Sequence, residues 1–271
     1  MDHLRVLLEL FPWSLVAGVL IAALCAAMGS YVILKRVVFI GVALSEAAAL
    51  GIAAGMVVGF PGFAGAAVLT LISGLGLSRP YEVGRLPRDA ILGILFVTAA
   101  ALSVLLVSGA GLGLEEVKAL LYGDLILTRP ADLVIVALVF LPVTALWVLF
   151  HRPILFTFLD REAARLLGVR VVFWEAFYFC ALALVVAASA RVAGALLVFA
   201  YLVVAPSTAL LASRRLATVL ALAVGIAIGC TLLGLYSALA LDLPANQLVV
   251  ALLTLVFMVT IAVRALPWRQ Q

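Results

Sequence analysis

The chain has 271 residues, 68% of them hydrophobic and 11% charged, with a net charge of +4. A mean hydropathy of +1.36 excludes a soluble globular domain and points to a polytopic helical membrane protein. The basic residues are scattered through short loops, so their excess bears on membrane topology and not on nucleic acid.

About nine apolar segments are long enough to cross a bilayer: 12–34, 38–59, 62–77, 89–108, 131–150, 171–190, 193–211, 216–239 and 246–266. A crossing takes about 20 residues at about 1.5 Å each. The third segment is short and rich in glycine, and only Arg191–Gly194 parts the sixth from the seventh. Either can be a re-entrant or broken helix, which leaves the count at eight or nine. The first apolar run, from Phe11 to Leu34, is too long for a signal peptide and reads as an anchor. Trp13 and Trp268 stand near the ends of spans, as interfacial anchors do. Cys25, Cys180 and Cys230 lie inside apolar segments without ligand spacing and read as small fillers.

The second segment carries the one carboxylate deep inside a span. Around Glu46, residues Gly41, Ala43, Ser45, Ala47, Ala48, Ala49 and Gly51 are small, which lets neighbouring helices approach closely. Glu46 is six or more residues from either polar flank. A carboxylate at that depth costs about 3 kcal/mol or more unless it is neutral, paired or facing water. It is a candidate pathway residue; a protonated Glu hydrogen-bonded within the bundle is the plainer reading.

Two loops stand out. Between Gly109 and Pro130, the stretch Glu115–Asp124 reads as a short amphipathic or re-entrant helix capped by Gly123. Between His151 and Arg170, the stretch Phe158–Gly168 reads as a compact helix that Asp160 starts and Gly168 stops. Its apolar face is Leu159, Ala163, Leu166 and Leu167, and it can lie on the membrane or fit a groove on a partner. With the N-terminus outside, Arg5, Lys118, Arg129 and Arg191 are the only four of the 17 basic residues left on the outer side. The other thirteen fall inside, which predicts an N-out, C-in topology. Glu175, near the inner end of its helix, reads as structural, snorkelling or paired with Arg170. Pro206 reads as a kink within its helix. Asp242-Leu243-Pro244 reads as a cap on the last helix.

Several motifs in order resemble the permease subunits of the type 3 ABC family, the importers of zinc, manganese and iron. They are Gly41-Val42-Ala43-Leu44-Ser45-Glu46-Ala47, Asp89–Phe96, Phe158–Gly168, Gly194–Val198, Val203–Ala209 and Leu241–Pro244. The resemblance covers nearly the whole chain. It implies an all-α permease fold of about eight or nine membrane helices, forming a single transmembrane domain over 1–271 in a bacterial or archaeal cytoplasmic membrane. It further implies a second permease copy, two cytoplasmic ABC ATPases and an extracytoplasmic solute-binding protein. Asp160, Arg161, Glu162, Ala163, Arg165, Leu166 and Gly168 would form the segment coupled to the ATPase. Glu46, Val42, Ser45, Pro206, Ser207 and Thr208 would line the substrate pathway.

The chain departs from the family at the second-helix motif. The Asp and His expected there, four residues apart on one helix face, are replaced by Val42 and Glu46. The two histidines, His3 and His151, lie outside the spans, so no His/Cys set suits zinc. Glu46 is the one metal ligand expected in the membrane, and two copies of it with carbonyls and water would make a hard-oxygen site for manganese or ferrous iron. A metal chelate or small organic solute on the same scaffold is the alternative cargo, and a proton-coupled carrier using Glu46 an alternative mechanism. No Walker-type Gly-x-x-x-x-Gly-Lys-Ser/Thr sequence occurs, so the chain is expected to be no enzyme and to bind no cofactor, with ATP and magnesium on the partner ATPase.

Overall fold

The computed structural model describes residues 11–78, 88–111, 123 and 125–265, and its described elements are all helical. They are α1 (Pro12–Leu34), α2 (Phe39–Val58), α3 (Gly62–Ser78), α4 (Arg88–Gly109), α5 (Pro130–Leu149), α6 (His151–Leu159), α7 (Arg161–Leu166), α8 (Val171–Ala212), α9 (Leu216–Leu241) and α10 (Ala245–Ala265). Seven of these are long and apolar enough to cross a membrane, and the shorter apolar Gly62–Gly76 lies within α3. The expected helix at Glu115–Tyr122 lies outside the described residues, as do Trp268, His3 and Lys118.

Helix α8 accounts for two of the expected spans. Its 42 residues would extend about 63 Å if straight, about twice the hydrocarbon thickness of a bilayer. Gly194 divides it, with φ 72° and ψ 160°, a conformation open to glycine and closed to most other residues. The break is therefore at Gly194. Pro206, expected to kink the helix, keeps helical dihedrals.

Cross-helix contacts sort the ends into two sides. Lys35 at the end of α1 pairs with Glu175 near the start of α8, and Arg161 of α7 joins them. On the opposite side Asp132, at the start of α5, pairs with Arg191 at 3.0 Å. There Asn246 at the start of α10 donates to the carbonyl of Ala193 and accepts from the amide of Leu125. The hydroxyl of Ser14, near the start of α1, donates to the carbonyl of Ile126. The first arm of α8 thus runs from one side to the other, and the second arm returns beside α2, with Leu202 and Phe199 against Gly41.

Small residues set the closest packing, as the composition of α2 implies. Gly51 of α2 lies against the backbone of Gly65 and Ala66 in α3, where an added methyl would collide with the Gly65 carbonyl. Close approach of this kind is how helices associate where lipid, as apolar as leucine, supplies no hydrophobic drive. Leu241 ends α9, and Asp242 follows it in the left-handed conformation at φ 53°, with its amide bonded to Ala238. Asp242 therefore terminates the preceding helix, a role its short polar side chain tolerates. Of the tripeptide expected to cap the last helix it is Pro244 that precedes α10, its carbonyl accepting from the amide of Leu248.

Candidate functional site

Helix α2 presents Val42, Ser45 and Glu46 to a half-open cavity of about 330 Å³. The spacing dictates this, since residues four apart on a helix share a face. Phe96 of α4 and Ala195, Leu196 and Phe199 of α8 complete the lining. Those three belong to the first turns after Gly194, so the break in α8 aims them at Glu46. Glu46 is half-buried, and its buried Oε2 has no hydrogen-bond partner among the described residues. The bonded, protonated Glu of the plainer reading needs such a partner.

Ser45 is buried and donates to the Gly41 carbonyl at 2.9 Å, and Thr208 donates likewise to Val204. Both hydroxyls thus serve their own helices as donors, leaving only lone pairs for a cation. Pro206, Ser207 and Thr208 do not line the cavity; they sit further along the second arm of α8, with Pro206 and Thr208 buried. The pathway set from the sequence is therefore split: Val42, Ser45 and Glu46 come together, and the α8 residues beside them are Ala195, Leu196 and Phe199. The Gly194 break was the one signal in the sequence that could have moved the choice up the helix. Phe96 carried none. Among the described residues no group of three or more His, Cys, Asp or Glu side chains converges.

The coupling candidates form a second locus, on the side of Lys35 and Glu175. Asp160, extended at φ −144° and ψ 98°, divides the expected single helix into α6 and α7, so Phe158 and Leu159 belong to α6. It caps α7 as expected, accepting from the amides of Glu162 and Ala163 at 3.1 and 2.9 Å. Gly168 closes the segment at φ 77°. Phe158 and Ala164 form the face packed on the protein, whereas Leu159, Leu166 and Leu167 point away, Leu166 with 88% of its surface exposed. Glu162, Arg165 and Gly168 are also exposed, and Ala163 is half-buried.

Beneath this segment is a buried charge cluster. Glu175, 1% exposed, lies 2.8 Å from Lys35 and 3.4 Å from Arg161. The Lys35 ammonium also sits over the rings of Phe158 and Phe179, 4.5 and 4.9 Å from their centroids. Tyr31 and Tyr178 pack edge-on against Phe158, and Trp147 packs edge-on against Tyr31. Glu175 does not take Arg170 as its expected partner. Arg170 immediately precedes α8 and is exposed, whereas Glu175 faces inward one turn later, toward the end of α1.

A bundle of apolar helices with a carboxylate beside a mid-span cavity, and a short helix held outside the bundle, defines a polytopic membrane protein. Residues 8–264 match the ABC 3 transport family, and the chain belongs to it. It is 28% identical over 245 residues to the manganese transport system membrane protein MntC of Halalkalibacterium halodurans, covering 90% of this chain and 84% of that one. It is also 28% identical over 239 residues to the chelated iron transport system membrane protein YfeC of Yersinia pestis, covering 88% and 81%. Its fold is similar to PsaBC from Streptococcus pneumoniae, solved in complex with Fab, with a TM-score of 0.85 at 22% identity over 96% of this chain and 94% of that one.

Proposed function

We propose that this chain is the permease subunit of an ATP-driven importer whose cargo is a divalent metal ion, with manganese or ferrous iron favoured over zinc. The observation that carries the reading is the Oε2 of Glu46, buried and unpartnered among the described residues, beside a cavity between α2, α4 and α8. Leaving a buried carboxylate oxygen without a partner is costly, and a passing cation supplies the partner. An all-oxygen environment favours harder cations than a His/Cys set does. The names of the manganese and chelated-iron relatives support the same cargo class.

In this reading the membrane is a cytoplasmic one, and the side with Lys35, Arg161 and Glu175 faces the cytoplasm. Ten basic residues in the described part fall on that side, at the ends of α1, α8 and α10, at the start of α4, within α6 and α7 and in the loops, as the positive-inside rule expects. The exposed Leu166 and Leu167 of α7 then meet an ABC ATPase, which holds ATP and magnesium; two such subunits, a second permease copy and a solute-binding protein complete the assembly. The chain itself is a transport subunit without catalysis of its own. Val42 and Ser45 flank the cation at Glu46, and Pro206, Ser207 and Thr208 belong to the stretch of α8 that the cargo passes later.

A second reading has one observation behind it. Five of the seven cavity-lining residues are apolar, and the volume is ample for more than a bare ion, as a chelated metal would require. Uptake in cells expressing the permease with its ATPase and binding protein separates the readings. Labelled manganese or ferrous iron is expected to accumulate in an ATP-dependent manner without added chelator, with zinc competing poorly. Accumulation only with a chelator would favour the second reading, and accumulation of neither form would overturn both.

A further inference from the structure

We propose that Glu175 is a positioning residue that couples displacement of α7 to α2 and α8, two of the three helices bordering the Glu46 cavity. The inference rests on the proposed docking of α7 to an ATPase. A helix of six residues has too few hydrogen bonds to hold itself in water, so its place is set by what grips it. Three grips are visible: the Asp160 cap, burial of Ala164, and the Arg161 guanidinium on Glu175. The first is internal to the segment, so the load from the exposed Leu166 face reaches the bundle through the other two and through the chain's own links to α6 and α8.

Glu175 sits one turn into the first arm of α8, the helix whose second arm brings Ala195, Leu196 and Phe199 to the cavity. Its other oxygen holds Lys35, the residue that terminates α1. From Lys35 only Arg36, Val37 and Val38 intervene before α2, and Arg36 turns the chain there in the left-handed conformation at φ 59°. Helix α2, with Val42, Ser45 and Glu46, therefore hangs from Lys35 by a tight connection. One carboxylate thus joins the docking helix to two of the three walls of the cavity, α2 and α8. The ring faces of Phe158 and Phe179 fix the ammonium from the sides, which leaves the cluster little freedom to yield. Buried ion pairs of this kind contribute little net stability and are better suited to fixing geometry.

The test is manganese uptake per ATP hydrolysed by the assembled permease–ATPase complex. The variants are Arg161→Gln, Arg161→Lys, Glu175→Gln and the double variant Arg161→Gln with Glu175→Gln. A lesser amount of folded protein lowers uptake and hydrolysis together and leaves their ratio unmoved. The ratio is expected to fall at least about fivefold in each Gln variant, the lower edge of ordinary coupling between sites. The double variant should be no worse than the worse single one, and Arg161→Lys should keep most of the wild-type ratio. Arg161→Gln leaves the Lys35–Glu175 pair intact, so it decides the matter if Glu175→Gln does not fold. An unchanged ratio in assembled Arg161→Gln complex would overturn the proposal, as would fully additive losses, which would mean that Arg161 acts on the ATPase independently of Glu175. Wild-type uptake that needs no ATPase would instead overturn the functional reading on which the proposal rests.

Discussion

Glu46 and Glu175 are both carboxylates in membrane helices, and their surroundings give them different work. Glu175 pairs with two cations, one of which, Lys35, lies over two aromatic rings, so its charge is compensated inside the protein. Glu46 borders a cavity, and no ion pair with a described residue compensates it; in the proposed function that compensation comes from the cargo. The sequence distinguished their depths but not their partners. Arg170 is nearer to Glu175 along the chain, yet Lys35 is the near neighbour in space, and only the packing of α1 on α8 makes it so. Asp160 is a residue whose role was legible from its neighbours alone, because a cap is local chemistry. Replacing it with alanine should cost about 1 kcal/mol, the usual worth of an N-cap. Hydrogen exchange at the amides of Glu162 and Ala163 should accelerate accordingly, and Asp160→Asn should exchange nearly as slowly as the wild type.

At the scale of elements, the long apolar runs foretold the helices closely, since a backbone in lipid has to satisfy its own hydrogen bonds and so becomes helical. Breaks were harder to read. Pro206 looked like the kink and Arg191–Gly194 like a separation or break between two spans, but a missing donor is tolerated in a packed membrane helix, whereas a φ of 72° at Gly194 re-aims the chain. That single difference put Ala195, Leu196 and Phe199 in the cavity in place of Pro206, Ser207 and Thr208. Phe96 was illegible because its place depends on how α4 packs on α2, which no local pattern encodes. The small residues of α2 were informative in a way that can be measured. Gly51→Ala pushes a methyl into the Gly65 carbonyl and should cost about 1–3 kcal/mol, the range for overpacking a close contact. Thermal unfolding in detergent micelles should show a clear fall in midpoint, while Gly93→Ala, which meets open space, should not.

The whole molecule reads as two loci on a common frame: a cavity between α2, α4 and α8, and a short exposed helix, α7, on one face of the bundle. Their relation to the membrane follows from the sidedness of the basic residues and can be tested directly. Cysteines placed at Leu127, 70% exposed, and at Leu166 mark the opposite sides. In intact cells a membrane-impermeant maleimide should label Leu127→Cys and spare Leu166→Cys. Inverted vesicles without the ATPase should give the reverse, and labelling of Leu166→Cys from outside would invert the topology.

The central claim, that a metal ion crosses at Glu46 under the power of ATP, has one most direct measurement. Proteoliposomes containing the permease and its ATPase, supplied with the binding protein and labelled manganese, would be compared for wild type and Glu46→Gln at equal complex assembly. Glu46→Gln keeps the size of the side chain and removes its charge. A charged ligand contact is worth about 1.5–3 kcal/mol, so uptake should fall at least about tenfold while the complex stays intact. Manganese uptake at the wild-type rate through the Gln variant would contradict the account, because the cavity would then be passing its cargo without the carboxylate.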